Sequence, residues 1–258
     1  MKIISWNIAA GRTLASKDHW DYKSENLDYF VRNIQKLNPD IICLQEVHIN
    51  EKRSIAKEIA EKLNIPHIHK VSSHPSHIDS KYNLGLAVLS KYEITNPEII
   101  KLPYPKFKLV FSDGKQAKHF DKYIQIIEIN GLKLVNVQFQ PLGLWKYRYD
   151  EGKGLKYSRE INEVLDKIEK IDVFCGDLAM DDPLEVLPVL KDKFHMQEAF
   201  NDKNTRPVDK DFIARIGKKY IPNEIDHILF SDKLRLIDSQ VIKTDTDHLM
   251  CWGKFEFK

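Results

Sequence analysis

The chain of 258 residues lacks the features that mark several classes of protein. It has three cysteines, Cys43, Cys175 and Cys251, each in an apolar stretch. This excludes a disulfide framework and predicts buried free thiols in a reducing, cytoplasmic compartment. No run of about 18 apolar residues occurs, so no membrane-spanning helix is expected. The first residues leave no room for a signal peptide, so none is expected either. Internal repeats and polar linkers are also missing, which predicts a single domain over residues 1–258.

An excess of charge of either sign is missing as well. The 40 Lys and Arg residues are nearly balanced by 38 Asp and Glu residues, which leaves a net charge of +2. The overall field therefore does not select a polyanionic partner, and any preference for nucleic acid must come from a local patch.

The hydrophobic pattern predicts a mixture of helices and strands. Helical spacing recurs in residues 24–37, with Ser24 as the N-cap, and in residues 51–63 and 157–170. Strands are predicted at residues 2–8, 40–45, 84–90, 121–129, 132–139, 171–175, 225–230, 234–243 and 249–257. Asn130-Gly131 predicts a hairpin turn, and Asp182 followed by Pro183 predicts a helix start. This pattern indicates a layered α/β domain with two packed sheets and outer helices.

Polar residues recur at the ends of these predicted strands. A single carboxylate there is more often a turn or cap residue, but several of suitable type favour a shared crevice. Hydrolysis of a phosphodiester needs a hard cation, a group that orients water and a cationic donor. Glu46 is suited to hold the cation and Asp177 to position the water. His248 is suited to stabilise the phosphate if Asp226 keeps it protonated.

Six short segments resemble the successive motifs of one known family. They are Ser5-Trp6-Asn7-Ile8, Leu44-Gln45-Glu46-Val47, Gly85-Leu86-Ala87-Val88-Leu89-Ser90, Gly176-Asp177, Ile225-Asp226-His227-Ile228-Leu229 and Thr246-Asp247-His248. In residue type and order, the set resembles the endonuclease/exonuclease/phosphatase superfamily over nearly the whole chain. The resemblance implies a four-layer α/β sandwich of two packed, mixed, mainly antiparallel β-sheets flanked by helices. It also implies a phosphodiester hydrolase that depends on Mg²⁺ or Mn²⁺.

The resemblance further implies roles for individual residues. The implied metal-side residues are Glu46, as the principal ligand, Asn7 and Asp247. The implied catalytic residues are Asn7, Asp177, which orients the attacking water, and His248 with Asp226 as its carboxylate partner.

Two candidate substrate-binding positions depart from the family pattern. After Gly-Asp the family usually has an apolar residue and then Asn, whereas this chain has Leu178 and Ala179. Losing one such donor typically costs about 10²–10³ in turnover, so Ala179 indicates natural decay, a variant served by a neighbour, or an engineered substitution. Gln138 stands where many members have the histidine of Asn-x-His. Its amide can donate to a phosphate oxygen but cannot transfer a proton.

Other candidates have ordinary structural explanations beside the functional ones. Arg148 and Arg206 are candidate phosphate contacts, although a solvated loop is the favoured explanation for Arg148 and an ordinary turn explains Arg206 equally well. Lysines interleaved with aromatic residues over residues 104–118 suit single-stranded nucleic acid, but a lysine-rich edge hairpin is the favoured explanation. The histidines at positions 67, 69, 74 and 77 are interpreted as a polar loop rather than a zinc site.

These observations together predict a monomeric, nuclease-type phosphodiester hydrolase, with nucleic acid favoured over lipid as its substrate. Two alternatives stay open. One is a hydrolase of phospholipids or small phosphoesters with the same fold. The other is a catalytically silent module that binds phosphate-bearing ligands, which Ala179 and Gln138 support.

Overall fold

Two six-stranded β-sheets form the centre of the molecule. The computed structural model describes residues 1–16, 21–110, 116, 120–200, 204–206, 213–214 and 216–258. Over these residues the strands are β1 (Lys2–Asn7), β2 (Arg12–Leu14), β3 (Tyr22–Glu25), β4 (Ile41–Ile49), β5 (His67–Pro75), β6 (Asn83–Ser90), β7 (Ile94–Lys101), β8 (Tyr123–Ile129), β9 (Leu132–Gln138), β10 (Val173–Asp177), β11 (Gln197–Glu198), β12 (Asp226–Phe230), β13 (Leu234–Ile242) and β14 (Met250–Phe257). The α-helices are α1 (Leu27–Leu37), α2 (Ile55–Leu63), α3 (Gly152–Asp166), α4 (Pro183–Val186) and α5 (Val189–Asp192).

Both large sheets are mixed and mainly antiparallel, as the resemblance implies. The first has the strand order β13-β14-β1-β4-β6-β5, and the second has the order β11-β12-β10-β9-β8-β7. The parallel pairs are β1 with β4 in the first sheet and β9 with β10 in the second. Strands β2 and β3 form a separate two-stranded hairpin.

The alternation of side chains along the strands produces the four layers. Ile3 packs between the two sheets with Cys43 and Cys175, whereas Ile4 faces the opposite side of its sheet and packs with the residues of α1 and α2. Helices α3, α4 and α5 contribute to the apolar cluster on the outer side of the second sheet. The four-layer sandwich is therefore confirmed. The three cysteines are buried free thiols, as predicted.

Local signals in the sequence are confirmed at one hairpin turn and at one helix start. Ile129 of β8 pairs with Leu132 of β9, and Asn130 and Gly131 between them have φ values of 51° and 75°. Positive φ at both turn positions is the geometry that favours Asn-Gly. Asp182 caps α4, because its side chain accepts a hydrogen bond from the Glu185 N–H. Among the described helices, none is long and apolar enough to cross a membrane.

The first two helices begin later than predicted. Residues 22–25 pair with residues 12–14 as the hairpin β2–β3, so Ser24 lies in a strand and is not the N-cap. Asn26 takes that role by accepting a hydrogen bond from the Tyr29 N–H. Helix α2 begins at Ile55 rather than at residue 51 because the preceding residues form a turn, in which the Asn50 side chain accepts from the Lys52 and Arg53 amides.

Two other predictions differ from the structure, and part of a third lies outside the described residues. Helix α3 covers residues 152–166 rather than 157–170; its Gly154 is needed because a Cβ there would lie 1.7 Å from the Arg148 carbonyl oxygen. The predicted polar histidine loop is wrong for residues 67–75, which form β5 by pairing with β6 at the sheet edge. Of the lysine-rich segment at 104–118, Phe111, Lys115 and Lys118 lie outside the described residues, as does Pro207.

Candidate active site

The register of the second sheet brings three of the predicted site residues side by side. Asp177 at the end of β10 is paired with Gln138 at the end of β9 and with Asp226 at the start of β12. Residues opposite each other in register point to the same face of a sheet, so these side chains share the face toward the first sheet. From that sheet, Asn7 at the end of β1 donates from Nδ2 to Asp177 Oδ2 at 3.2 Å. The strand ends therefore converge, as predicted.

Glu46 reaches this convergence through a β-bulge in β4. The pairing with β6 passes from Leu44–Ala87 to Val47–Gly85, so β4 contains one extra residue at this point. Glu46 has a φ of 53°, in the left-handed region that residues other than glycine seldom adopt. A bulge re-aims a side chain that regular alternation would send to the other face. Such backbone strain, typically about 1–3 kcal/mol, persists where the surrounding structure enforces it and often marks a functional site.

Gly176 allows the two strands that bear Gln138 and Asp177 to approach each other closely. Its φ is 144°, and a Cβ atom there would lie 1.9 Å from the carbonyl oxygen of Val137. Any other residue at this position would push β10 away from β9. The glycine of the Gly-Asp motif is thus a packing requirement for the position of Asp177.

His248 and Asp226 form a buried pair at the same end of the sheets. His248 Nδ1 lies 2.9 Å from Asp226 Oδ2 and 3.1 Å from Oδ1. Burial alone would lower the pKa of His248, but the carboxylates of Asp226 and Asp177 raise it to about 10. Burial raises the pKa of Asp226 only to about 6. At neutral pH the pair is therefore an imidazolium and a carboxylate, with Nε2 of the ring 4.0 Å from Asp177 Oδ2.

Asp247 and Glu46 place two further carboxylates in this region. Tyr22 donates its hydroxyl to Asp247 Oδ2 at 2.6 Å, whereas Asp247 Oδ1 is buried with no hydrogen-bond partner among the described residues. Burial raises the pKa of Asp247, and the charge of Glu46 raises it further. Burial would raise the pKa of Glu46 too, but the charges of His77, Lys122 and His248 lower it to about 2.

The donor set fits a divalent cation on the side of Glu46 and Asp247. An unpaired buried carboxylate oxygen beside a second carboxylate needs a positive partner, and hard cations such as Mg²⁺ take oxygen ligands. Asp177, Asp226 and His248 also place one potential ligand atom each within 4.8 Å of one another. That second group suits a metal less well, because its imidazole is protonated and hydrogen-bonded to Asp226.

Both amide hydrogens of Gln138 are already used within the site. Nε2 donates to Glu46 Oε1 at 2.7 Å and to Asp177 Oδ2 at 3.2 Å, while Oε1 accepts from Lys122 Nζ at 2.7 Å. A side-chain amide has only two hydrogens to donate. The predicted donation from Gln138 to a substrate phosphate is therefore not available in this arrangement, and Gln138 instead fixes the carboxylates on either side of it.

The remaining predicted residues are divided between two pockets. A cleft of about 660 Å³ is lined by both Ala179 and Arg206 as well as the acidic residues. Burial lowers the pKa of Arg206, although Asp247, Asp177 and Asp226 act in the opposite direction. Arg148 does not line this cleft. It pairs with Asp150, donates to the Lys219 carbonyl oxygen and lines a neighbouring pocket of about 240 Å³.

Sequence reasoning missed two residues that shape the site, Lys122 and Tyr22. Lys122 lines the cleft with only 5% of its surface exposed. Burial lowers its pKa to about 8, although the charges of Glu46 and Asp177 act to raise it. Tyr22 lies on a hairpin whose sequence gave no strand signal. Thr205 anchors the start of β12 by accepting hydrogen bonds from the Ile225 and Asp226 amides. A lysine directly before an apolar strand was the one available signal for Lys122.

The fold and the cleft define a class of hydrolase: an α/β sandwich with an acidic site where the strands of two sheets end. The family model described as the Endonuclease/Exonuclease/phosphatase family matches residues 4–248. The chain belongs to this family, whose members are hydrolases of the nuclease and phosphatase type.

Individual relatives agree with this assignment. A DNA-(apurinic or apyrimidinic site) endonuclease of Dictyostelium discoideum is 33% identical over 180 residues, which are 69% of this chain and 41% of that protein. The chain thus spans less than half the length of this curated relative. An endonuclease/exonuclease/phosphatase structure from Beutenbergia cavernae matches with a TM-score of 0.72 and 14% identity over 100% of this chain and 71% of that one. The human Nocturnin catalytic domain with bound sulfate matches with a TM-score of 0.62 and 16% identity over 100% and 93%.

Proposed function

We propose that the protein is a divalent-metal-dependent phosphodiester hydrolase of the nuclease type. One observation carries the proposal: Glu46 and Asp247, with its unpaired buried oxygen, line the same cleft as Asp177 and the imidazolium of His248. A cation site beside a carboxylate and a charged imidazole is what hydrolysis of a phosphate ester requires. Glu46, Asp247 and Asn7 would hold Mg²⁺ or Mn²⁺, which neutralises charge on the phosphate and polarises it when bound.

Asp177 is the residue that orients the attacking water. The hydrogen bonds that it accepts from Asn7 and Gln138 both end on Oδ2, and the described residues provide no donor for Oδ1. Oδ1 is therefore available to accept a hydrogen from the water. Asn7 is itself held, because its Oδ1 accepts from the Ala9 amide at 3.1 Å. The water forms the new P–O bond and its proton passes to Asp177; the ester P–O bond breaks with its electron pair on the leaving oxygen, which takes up a proton from solvent and departs as an alcohol.

His248 stabilises the negative charge that develops on the phosphate oxygens. Its Nδ1–H is directed to Asp226, and its Nε2, which lies 3.4 Å from Asn7 Nδ2, carries the second proton of the imidazolium. A charged donor that is fixed before the reaction needs no reorganisation when the charge appears. Arg206, which also lines the cleft, adds a second positive charge among three carboxylates.

Ala179 lowers the expected turnover without removing the site. It lines the cleft, and its methyl group provides no hydrogen-bond donor for the substrate. The other site residues are in place around it, so we propose a weakened hydrolase in preference to a silent binding module. Similarity to a DNA endonuclease supports a nucleic-acid substrate.

A second candidate, hydrolysis of a lipid or small phosphoester, is favoured by the apolar side of the cleft. Leu144, Trp145, Ile221 and Pro222 line it together with the acidic residues. An apolar wall suits an uncharged organic group attached to the phosphate, whether a sugar and base or a lipid. The substrate panel below therefore includes both kinds of ester.

Turnover of defined phosphodiesters in the presence and absence of metal tests the proposal. The panel comprises single-stranded DNA, double-stranded DNA with an abasic site, RNA, sphingomyelin and a nitrophenyl phosphodiester. We expect cleavage with Mg²⁺ or Mn²⁺ that EDTA abolishes and that Asp177→Asn reduces by about 10²–10⁴-fold. Asp238→Asn, on an exposed part of β13, is the control and retains full turnover. Cleavage that persists in EDTA, or that Asp177→Asn leaves intact, contradicts the proposal.

A further inference from the structure

The cleft contains a buried cation that the proposed reaction has not used. Lys122 directly precedes β8 and is 5% exposed, although lysine is seldom buried without a paired charge. Among the described residues, Gln138 Oε1 is the acceptor for its ammonium group, at 2.7 Å. An ammonium group has three hydrogens to donate, so two are not used by any described part of the chain.

The surroundings of Lys122 favour a ligand over a purely structural role. The nearby carboxylates of Glu46 and Asp177 interact with its charge, but neither forms a hydrogen bond with it within the described chain. A structural ion pair would close such a bond to offset the cost of removing the ammonium group from water. Lys122 instead lines the cleft together with Glu46, Asp177 and His248.

Gln138 fixes the position of this ammonium group. Its amide joins Lys122 on one side to Glu46 and Asp177 on the other. Hydrogen bonds of the Gln138 side chain therefore connect the ammonium group to the carboxylates of Glu46 and Asp177. A phosphate and its attacking water would react between these two carboxylates. This arrangement also places a positive charge beside Gln138, whose own amide is neutral.

We propose that Lys122 is a catalytic residue that donates to a non-bridging oxygen of the substrate phosphate within the cleft. The inference rests on the proposed function and identifies a phosphoryl group as the ligand of this side of the cleft. Lysine acts on phosphate as a compact charge with several donors, so it needs no fixed bidentate geometry.

Binding of inorganic phosphate to the Mg²⁺-loaded protein, measured by calorimetry, tests the inference without requiring turnover. Lys122→Met keeps the length of the side chain and removes its charge. Loss of a hydrogen bond to a charged group weakens phosphate binding by about 10- to 100-fold. Lys122→Arg is expected to restore part of the affinity. The control is Lys101→Met, because Lys101 is half-exposed, pairs with Asp121 and lies outside the cleft.

The Mg²⁺-induced rise in melting temperature separates this role from an indirect one. We expect Lys122→Met to keep that rise while phosphate binding weakens. Unchanged phosphate binding overturns the inference, as does loss of the Mg²⁺ effect, which would mean that Lys122 acts only by holding Gln138 and Glu46. Absence of phosphate binding by the unmodified protein overturns it too. Phosphate binding that depends on Lys122, in a protein that cleaves no ester, contradicts the proposed hydrolase and a catalytic role, and supports only the assignment of Lys122 as a phosphate ligand.

Discussion

The hydroxyl of Tyr22 donates to Asp247 Oδ2 at 2.6 Å across 225 residues of sequence. Burial and the neighbouring Asp247 carboxylate raise the pKa of Tyr22, so the hydroxyl keeps its proton and remains a donor. The bond fixes one oxygen of Asp247 and leaves the other without a partner among the described residues. The β2–β3 hairpin, which bears Tyr22, is thereby connected to the loop that precedes β14.

Tyr22→Phe is expected to destabilise the metal-free protein and to weaken metal binding. The change leaves both Asp247 oxygens buried without a donor, which costs about 1–3 kcal/mol in the free energy of unfolding. Losing a residue that orients a metal ligand typically weakens metal binding by about 10–100-fold. Urea unfolding in EDTA measures the first effect, and calorimetric titration with Mg²⁺ measures the second. Tyr92→Phe, at an exposed tyrosine, is the matched control; equal results for both variants contradict the prediction.

Ala179→Asn is expected to raise turnover by at least about tenfold, because a donor is restored to the reacting phosphate. Ala179 has a φ of 54°, which asparagine adopts more readily than alanine, so the melting temperature should not fall. Ala179→Gly is the control, since glycine relieves the backbone without adding a donor. Steady-state kinetics on the best substrate of the panel measures the effect. No gain in a folded, metal-loaded Ala179→Asn variant would falsify this explanation of the weakened site.

Glu46→Ala is expected to abolish the stabilisation that Mg²⁺ or Mn²⁺ gives to the protein. The bulge in β4 directs this carboxylate into the cleft, and without it Asp247 is the one carboxylate left in the proposed metal site beside the neutral Asn7, which is too few to hold a hard cation well. Thermal unfolding with and without metal measures the effect. Glu61→Ala, an exposed glutamate on α2, should keep the full metal-induced shift. A normal shift in Glu46→Ala would remove Glu46 from the proposed metal site.

Stability is expected to fall between about pH 6.5 and pH 9 through the buried pair of His227 and Glu198. His227 Nδ1 lies 2.8 Å from Glu198 Oε2, and Nε2 lies 2.8 Å from the Met180 carbonyl oxygen. Burial alone would lower the pKa of His227, but Glu198 and these hydrogen bonds raise it to about 9. The folded pKa lies above the unfolded one, so the stabilisation is complete below pH 6.5 and is lost as the pH rises through 9. Its size is on the order of 3 kcal/mol.

Urea unfolding is measured at a series of pH values for the unmodified protein and for Glu198→Gln. The difference between the two isolates the contribution of this pair to the free energy of unfolding. Other titrating groups affect both proteins, so the difference between the two stability curves reports on His227. We expect that difference to shrink from pH 6.5 to pH 9.5. Curves that remain parallel over this range would show that His227 does not change its charge there.

The sequence alone was enough to predict the architecture and to propose an ordered set of candidate site residues. The continuous apolar runs of β1, β4 and β10 are local, and so are the Asn130-Gly131 turn and the Asp182 cap, which is why these elements form close to their predicted positions. The motifs that end in Asn7, Asp177 and His248 were recognisable for the same reason, since each is a short run of neighbouring residues.

Only the tertiary structure decided how those residues contact one another. The bulge that turns Glu46 into the cleft depends on pairing with β6, and the donation from Tyr22 to Asp247 joins distant parts of the chain. Lys122 was not predicted, because its burial and its bond to Gln138 arise from packing between elements rather than from local pattern. Periodicity reports which face of an element is apolar, whereas hydrogen bonds between sheets depend on register and on the distances that packing sets.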